Sequence, residues 1–179
     1  LPQPSVFDLY RLPAKKKWDY YRRGLVSFRD VQYDSGLNEK QDRQIEFNLH
    51  DRAAYIDKAG IQDFLDTLSY PIYFLDFETM QLPVPKFLGT RPYQQIPFQY
   101  SLHYIEKPGG ELKHKEFLAE SGEDPRRAIA ESLCRDIPMH TCVTAYNRGF
   151  ECGRINELAL QFPDLATHLL NIRSNIQDL

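Results

Sequence analysis

The sequence has no hydrophobic run that approaches the roughly 20 residues a membrane-spanning helix needs, so a spanning protein is excluded. It also has only three cysteines, with no C-x-x-C pair and no zinc-like spacing with its five histidines. A disulfide scaffold is therefore excluded. We expect Cys134, Cys142 and Cys152 to be free thiols in a reducing, cytoplasmic compartment.

An overall basic charge is also missing, because the formal net charge is -3. This argues against a protein that binds nucleic acid through a generally basic surface. The charge is uneven, however, since residues 11–29 hold seven basic residues, one acidic residue and four aromatic residues. Two interpretations of this segment stay open. It is a solvated helix whose Trp18 and Tyr21 pack on a neighbouring element, or a surface that contacts phosphates and stacks unpaired bases.

The length and the hydrophobic content of 42% predict one folded domain with an appendage, and they exclude a disordered chain. Residues 1–69 predict a helical N-terminal extension, with helices over 5–12, 14–23 and 39–50 and a fourth helix capped by Asp57. Residues 70–179 predict an α/β domain with a mixed sheet and flanking helices. The first residues resemble neither an initiator segment nor a targeting signal, so we expect the chain to be a piece of a longer protein.

The second part of the chain changes its hydrophobic period from helical to strand-like. A buried central strand is expected from just after Pro71 to Glu78, followed by a proline-rich loop over 79–97. Strands over 98–107 and 112–118 then form a hairpin. A helix begins at Asp124-Pro125, a strand covers 141–146 and a helix covers 150–162. A turn or two within 164–171 and the start of a fifth strand within 172–179 complete the pattern.

Three acidic residues lie where two of the expected strands end. Asp76 and Glu78 are two positions apart, so their carboxylates project from the same face of the first strand. Glu151 follows the 141–146 strand and begins the next helix. If these strands are parallel neighbours, all three carboxylates meet at one sheet edge, where open α/β sheets bind ligands. Oxygen ligands of this kind suit Mg²⁺ or Mn²⁺.

The motifs around these acids carry a resemblance to a known superfamily. Residues 74–79 (FLDFET) resemble the first motif of the DEDD (DnaQ-like) 3'-5' exonucleases, and residues 146–151 (YNRGFE) are similar to the second. The order of strands and helices matches a ribonuclease H-like fold. Together with residues 91–103 (RPYQQIPFQYSLH), the chain resembles an uncharacterised bacterial domain family with a DEDD-like core, often attached to a RecB/Cas4-like nuclease region.

This resemblance implies phosphodiester hydrolysis with two Mg²⁺ or Mn²⁺ ions held by Asp76, Glu78 and Glu151. It implies a single-stranded DNA or RNA 3' end as the substrate. Substrate contacts are expected from three residues within the two motifs, namely Thr79, Asn147 and Phe150.

Two features depart from the superfamily pattern. Glu151 stands where most members have Asp. The last motif, a His or Tyr before an Asp on a final helix, is expected to lie beyond Leu179, so that this piece is inactive by itself. Asp178 falls on the expected fifth strand and is not assigned as that missing acid.

Other interpretations of these residues remain open. His103 is a hydrogen-bonded strand histidine or a residue that takes part in catalysis. The chain is a metal-dependent 3'-5' exonuclease, or a non-catalytic nuclease-like module that binds nucleic acid or a partner nuclease. A purely structural interaction domain is the third alternative.

Overall fold

The computed structural model describes residues 1–179, which form two compact units, Leu1–Gly60 and Ile61–Leu179. Each unit has its own hydrophobic core. None of the helices is long and apolar enough to cross a membrane.

The N-terminal unit is helical, as the sequence predicts. After a 3-10 turn over Val6–Asp8 it contains α1 (Ala14–Arg22), α2 (Phe28–Val31) and α3 (Glu39–Leu49). Helix α1 begins after Pro13, and α3 has Asn38 as its N-cap, with the Asn38 side chain accepting a hydrogen bond from the Gln41 amide at 3.0 Å. The core contains Val6, Leu9, Leu12, Tyr20, Phe28, Val31 and Ile45.

Two elements of this unit differ from the prediction. The helix expected over 5–12 is only a 3-10 turn, because Leu9 already has an extended backbone, although Ser5 donates hydrogen bonds to Asp8 Oδ2 from both its amide and its hydroxyl. The short helix α2 was not predicted. It begins with a second capping pair of the same kind, formed by Ser27 and Asp30. Four residues are too few to show a helical hydrophobic period.

Helix α4 (Lys58–Asp66) crosses the boundary between the two units. Asp57 precedes it and accepts a hydrogen bond from the Gly60 amide at 2.9 Å, which confirms the predicted cap. The apolar face predicted for this helix is not buried, since Ile61 and Leu65 are both half exposed.

The C-terminal unit contains a five-stranded mixed sheet. Its strands are β1 (Ile72–Gln81), β2 (Gln95–Ile105), β3 (Lys113–Leu118), β4 (Cys142–Ala145) and β5 (Ile176–Asp178). They lie in the order β3-β2-β1-β4-β5. Strands β1, β2 and β3 pair antiparallel, whereas β4 is parallel to β1, and β5 is parallel to β4. The prediction of a mixed α/β fold is confirmed.

Three helices cover one face of this sheet: α5 (Arg126–Asp136), α6 (Arg148–Gln161) and α7 (Pro163–Ser174). The core between them and the sheet includes Leu75, Phe77, Tyr100, Leu102, Val143, Ile129, Leu133, Ile155, Leu158 and Ile172. The Tyr100 hydroxyl donates to Asp136 Oδ2 at 2.6 Å and lies 2.7 Å from Ser132 Oγ. This buried hydrogen-bond network fixes α5 against β2.

The structure corrects the predicted bounds in two places. The loop expected over 79–97 is shorter, because β1 continues to Gln81 and β2 already begins at Gln95. Helix α7 is a full helix of 12 residues rather than a turn or two within 164–171. Pro163 ends α6 and also begins α7, since a proline at the first helical position donates no hydrogen bond that the helix needs.

Candidate functional site

The middle of β1, rather than its end as predicted, carries Asp76 and Glu78, on the face of the sheet opposite the helices. Leu75 and Phe77 alternate with them and are buried in the core, which fixes the strand and the direction of its exposed residues. Both acidic side chains are exposed. Asp76 lies opposite Ser101 of β2, and Glu78 lies opposite Gln99.

The parallel pairing of β1 with β4 brings the second acidic segment to the same sheet edge. Phe74 lies opposite Thr144, so β4 ends at Ala145 close to the level of Asp76. The chain then passes through Tyr146 and Asn147 into α6, whose first turn contains Glu151. The predicted neighbouring, parallel arrangement of these two strands is therefore confirmed.

Glu151 is only 3% exposed, and its Oε2 atom is buried without a hydrogen-bond partner. Burial raises the pKa of this carboxyl group, and the charges of Asp76 and Asp178 raise it further, against a lowering by the Glu151 backbone amide. Glu151 is thus close enough to both carboxylates to interact with them electrostatically. A buried, unpartnered carboxylate beside other acids is energetically costly unless a cation or a proton accompanies it.

Asp178 belongs to this acidic group, although it was not predicted from the sequence to be part of the site. It lies opposite Ala145 on β5, and its Oδ1 accepts a hydrogen bond from the Arg148 amide at 2.9 Å. The sequence signal that could have identified Asp178 as part of the site is the expected fifth strand, if it is taken to be parallel to β4. A strand that continues the sheet beyond β4 also ends at this edge, and its last residues then face the start of α6.

The acidic residues offer the type of ligand atom that a divalent cation binds. Their side chains do not point to one common position, however. All their donors are oxygens, which Mg²⁺ and Mn²⁺ prefer, and the orphaned Oε2 of Glu151 is an available ligand atom. No group of three or more His, Cys, Asp or Glu side chains is arranged to hold a metal ion. The exposed side chains of Asp76 and Glu78 would have to rotate to join Glu151 around one ion.

The three residues expected to contact substrate lie in different environments. Thr79 is half-buried where the β1–β2 register shifts. Asn147 is exposed at the N-cap of α6, and its side chain makes no capping hydrogen bond. Phe150 is half-buried against the core, with the Arg154 guanidinium 5.6 Å from its ring centroid. Asn147 is therefore free to contact a ligand, whereas Phe150 packs within the domain.

A cavity of about 480 Å³ opens on the exposed face of the sheet beside Asp76. Ser101, His103, Thr144 and Tyr146 are among its other lining residues. Tyr146 is 86% exposed at the end of β4. The ring of His103 lies 4.4 Å from that of His114 on β3, and His114 Nε2 is 3.2 Å from Ser101 Oγ. His103 is thus a strand residue with an imidazole neighbour.

A second cavity, of about 440 Å³, adjoins the far end of β1 and is mostly apolar. Met80 and Phe98 contribute from the sheet, and Phe87 and Lys86 contribute from the connection between β1 and β2. Along β1, the first cavity borders Asp76 and this second cavity borders Met80, so Glu78 lies between them in the strand.

The comparison with protein families supplies one match. Residues 73–179, more than half of the chain, match the model of a domain of unknown function, DUF2779. The chain belongs to the DUF2779 family. This confirms the expectation that it is a member of an uncharacterised family. No curated protein and no solved structure matches the chain.

The DUF2779 match includes every acidic residue of the site, since Asp76, Glu78, Glu151 and Asp178 all lie within residues 73–179. Residues 1–72 lie outside the match. The basic and aromatic segment over 11–29 is thus separate from the DUF2779 domain and belongs to the N-terminal unit.

Proposed function

We propose that this DUF2779 protein is a metal-dependent nuclease that hydrolyses phosphodiester bonds, acting as a 3'-5' exonuclease on single-stranded DNA or RNA ends. The observation that carries the proposal is the environment of Glu151. Its buried carboxylate has an unpartnered oxygen and interacts with Asp76, in the middle of β1, and with Asp178, at the end of β5. Acidic residues drawn from separate strands and a helix at one sheet edge are typical of a functional site.

The sheet topology supports the ribonuclease H-like interpretation. In the chain, β1 is followed by the antiparallel strands β2 and β3, then a helix, the parallel strand β4 and another helix. This is the order that the resemblance to the DEDD exonucleases implies. A fold alone does not determine activity, so the proposal depends on the acidic residues that this fold brings together.

The proposed metal ligands are Asp76, Glu78 and Glu151. Two bound Mg²⁺ or Mn²⁺ ions would supply an activated water and stabilise the oxygen that leaves the phosphate. The side chains of the chain itself supply negative charge to hold the ions. Burial of Glu151 keeps bulk water away from one of these ligands, which strengthens its electrostatic interactions.

The surroundings of the acidic pair support a nucleic-acid substrate. The apolar cavity next to Met80 has the aromatic ring of Phe87 and the cation of Lys86, which suit a base and a phosphate, respectively. Thr79 follows Glu78 directly, and Asn147 lies one helical turn before Glu151, so both would contact the terminal nucleotide. Phe150 would support Glu151 through packing.

A second candidate function is a nuclease-like module that binds nucleic acid, or a RecB/Cas4-like nuclease region of the same polypeptide, without catalysis. The observation in its favour is that the acidic side chains do not converge into a metal-binding group. In that case Glu151 would be protonated rather than metal-bound, which its raised pKa favours.

The test uses the longest natural polypeptide that contains residues 1–179, with Mn²⁺ and a 3'-end-labelled single-stranded oligonucleotide. We expect Asp76→Ala to lower the cleavage rate by at least about 100-fold, because loss of groups that only support metal ligands already costs about 10–100-fold. Glu111→Ala is the matched control, since Glu111 is exposed in the β2–β3 connection.

Wild-type cleavage by the Asp76→Ala variant would reject the assigned site. Retained oligonucleotide binding in EDTA, with no cleavage by the unmodified protein under any divalent ion, would favour the non-catalytic module.

A further inference from the structure

The basic segment of the N-terminal unit keeps most of its positive charge unpaired. Of the seven basic residues over 11–29, only Arg23 forms an ion pair, with Asp19 at 3.2 Å. Asp8 and Asp34 accept hydrogen bonds from Ser5 and the Gly36 amide and also interact electrostatically with Lys17 and Lys16. Lys15 and Arg22 form no ion pair, so these two cations stay available to a ligand.

The unpaired cations and the exposed rings share one side of α1. At about 100° per residue, Lys15, Trp18, Tyr21 and Arg22 fall within an arc of about 120°. Tyr20 points to the opposite side and is only 1% exposed in the core. Trp18 and Tyr21 are 50% and 44% exposed. We name this group of four side chains the α1 surface.

The aromatic rings of the α1 surface are held in place rather than mobile. Phe7 packs edge-on against both Trp18 and Tyr21, with centroid distances of 5.2 and 5.9 Å. Trp18 and Tyr21 also contact each other at 5.8 Å with nearly perpendicular planes. Fixed rings lose little conformational freedom when a flat ligand stacks on them.

We propose that the α1 surface binds single-stranded nucleic acid, with Lys15 and Arg22 contacting phosphates and Trp18 stacking an unpaired base. Neither Lys15 nor Arg22 has an ion-pair or hydrogen-bond partner within the chain. Stacking needs an unpaired base, because paired bases hide their faces within the duplex. A membrane-binding helix would need a broad apolar face, and the apolar side of α1 is buried in the core of its own unit.

This surface lies outside the DUF2779 match and does not depend on the proposed nuclease activity. It would give the protein a metal-independent contact with the same class of substrate. Trp18 is the only tryptophan of the chain, so its fluorescence reports on this surface alone.

The experiment titrates the 179-residue chain with a 20-nucleotide oligo(dT) in EDTA at low salt and follows tryptophan fluorescence. We expect saturable quenching, with an affinity that falls as salt rises. The slope of log K against log salt should decrease by about 0.7 for each phosphate contact removed by Lys15→Ala or Arg22→Ala. Lys107→Ala, which changes an exposed lysine of the C-terminal unit, should leave affinity and slope unchanged.

Variants at position 18 are measured by anisotropy of a labelled oligonucleotide, since they lack the fluorophore. Trp18→Ala should weaken binding by about 5-fold or more, and Trp18→Phe should restore most of it, because stacking on one ring contributes about 1–3 kcal/mol. Circular dichroism checks that each variant is folded.

The proposal would be overturned by the absence of quenching at low salt, by equal affinity for a duplex of the same length, or by stronger quenching with phosphatidylserine vesicles than with the oligonucleotide. Glu111→Ala, at an exposed position outside both proposed sites, should not change this binding. A failed cleavage assay and a failed binding assay therefore contradict different proposals.

Discussion

The carboxyl group of Glu151 combines near-complete burial, an oxygen without a hydrogen-bond partner and two acidic neighbours. Because burial and these charges raise its pKa, folded Glu151 keeps its proton to a higher pH than the unfolded chain does. Stability therefore falls as pH rises from the ordinary glutamate pKa through the raised value, and it stays lower above that value.

Replacing Glu151 with Gln should remove this penalty. In EDTA at pH 7.5 we expect Glu151→Gln to stabilise the protein by about 1 kcal/mol, which corresponds to roughly 2–4 °C in Tm for a chain of this size. At pH 3.5, where wild-type Glu151 is protonated in both states, the difference should vanish. Thermal denaturation followed by circular dichroism measures both values.

Glu111→Gln, at an exposed position, is the control for that measurement and should change Tm at neither pH. An equal change in Tm for Glu151→Gln at pH 7.5 and pH 3.5 would contradict the assigned cause.

The sequence was sufficient to predict that the strand carrying Asp76 and Glu78 is a neighbour of the strand that leads into Glu151, because both segments contain an apolar run followed by acids. It was not sufficient to predict the burial of Glu151 or the role of Asp178. Those depend on how α6 and the three-residue strand β5 pack, and β5 is too short to show a period of its own.

Among the elements, those with a local stabilising signal were predicted best. Helix α3 has a capping residue at the expected position, and the β2–β3 hairpin has its turn at Pro108-Gly109-Gly110, where Gly109 has a φ of 67°. Helix α7 was underestimated because Pro163 signals an end as well as a beginning. Strand β1 extends past Glu78 because its pairing with β2 resumes after a register shift.

The cap of α3 gives a prediction at this scale. Asn38→Ala removes the acceptor for the Gln41 amide and should destabilise the protein by about 1 kcal/mol. Urea unfolding measures the change, and Asn38→Asp should lose much less because Asp also caps well. Equal destabilisation by both variants would argue that the Asn38 side chain contributes in another way.

Across the whole molecule, the prediction of a helical N-terminal part followed by a mixed α/β part agrees with the structure. What the sequence alone did not predict is that the N-terminal extension is a compact unit with a core of its own, which carries the cations and rings of α1, while the acidic residues lie in the other unit.

A bound metal should stabilise the folded protein without any need for catalysis. If Mn²⁺ binds the acidic residues, a concentration ten times the Kd adds about 1.4 kcal/mol and should raise Tm by roughly 3–6 °C. Asp76→Asn should abolish this rise, whereas Glu111→Ala should retain it. Differential scanning fluorimetry in Mn²⁺ and in EDTA measures it, and an equal rise in Asp76→Asn would place the ion elsewhere.

The pairing of β4 beside β1 joins residues that are far apart in the chain, since 75 positions separate Asp76 from Glu151. The β2–β3 hairpin closes locally, but this parallel contact forms only after a long intervening segment has lost its chain entropy. We therefore expect the sheet to begin folding as a meander and its acidic edge to assemble late. A nascent or partly folded chain would already contain the β2–β3 hairpin. It would still lack every contact between residues 74–79 and residues 146–151.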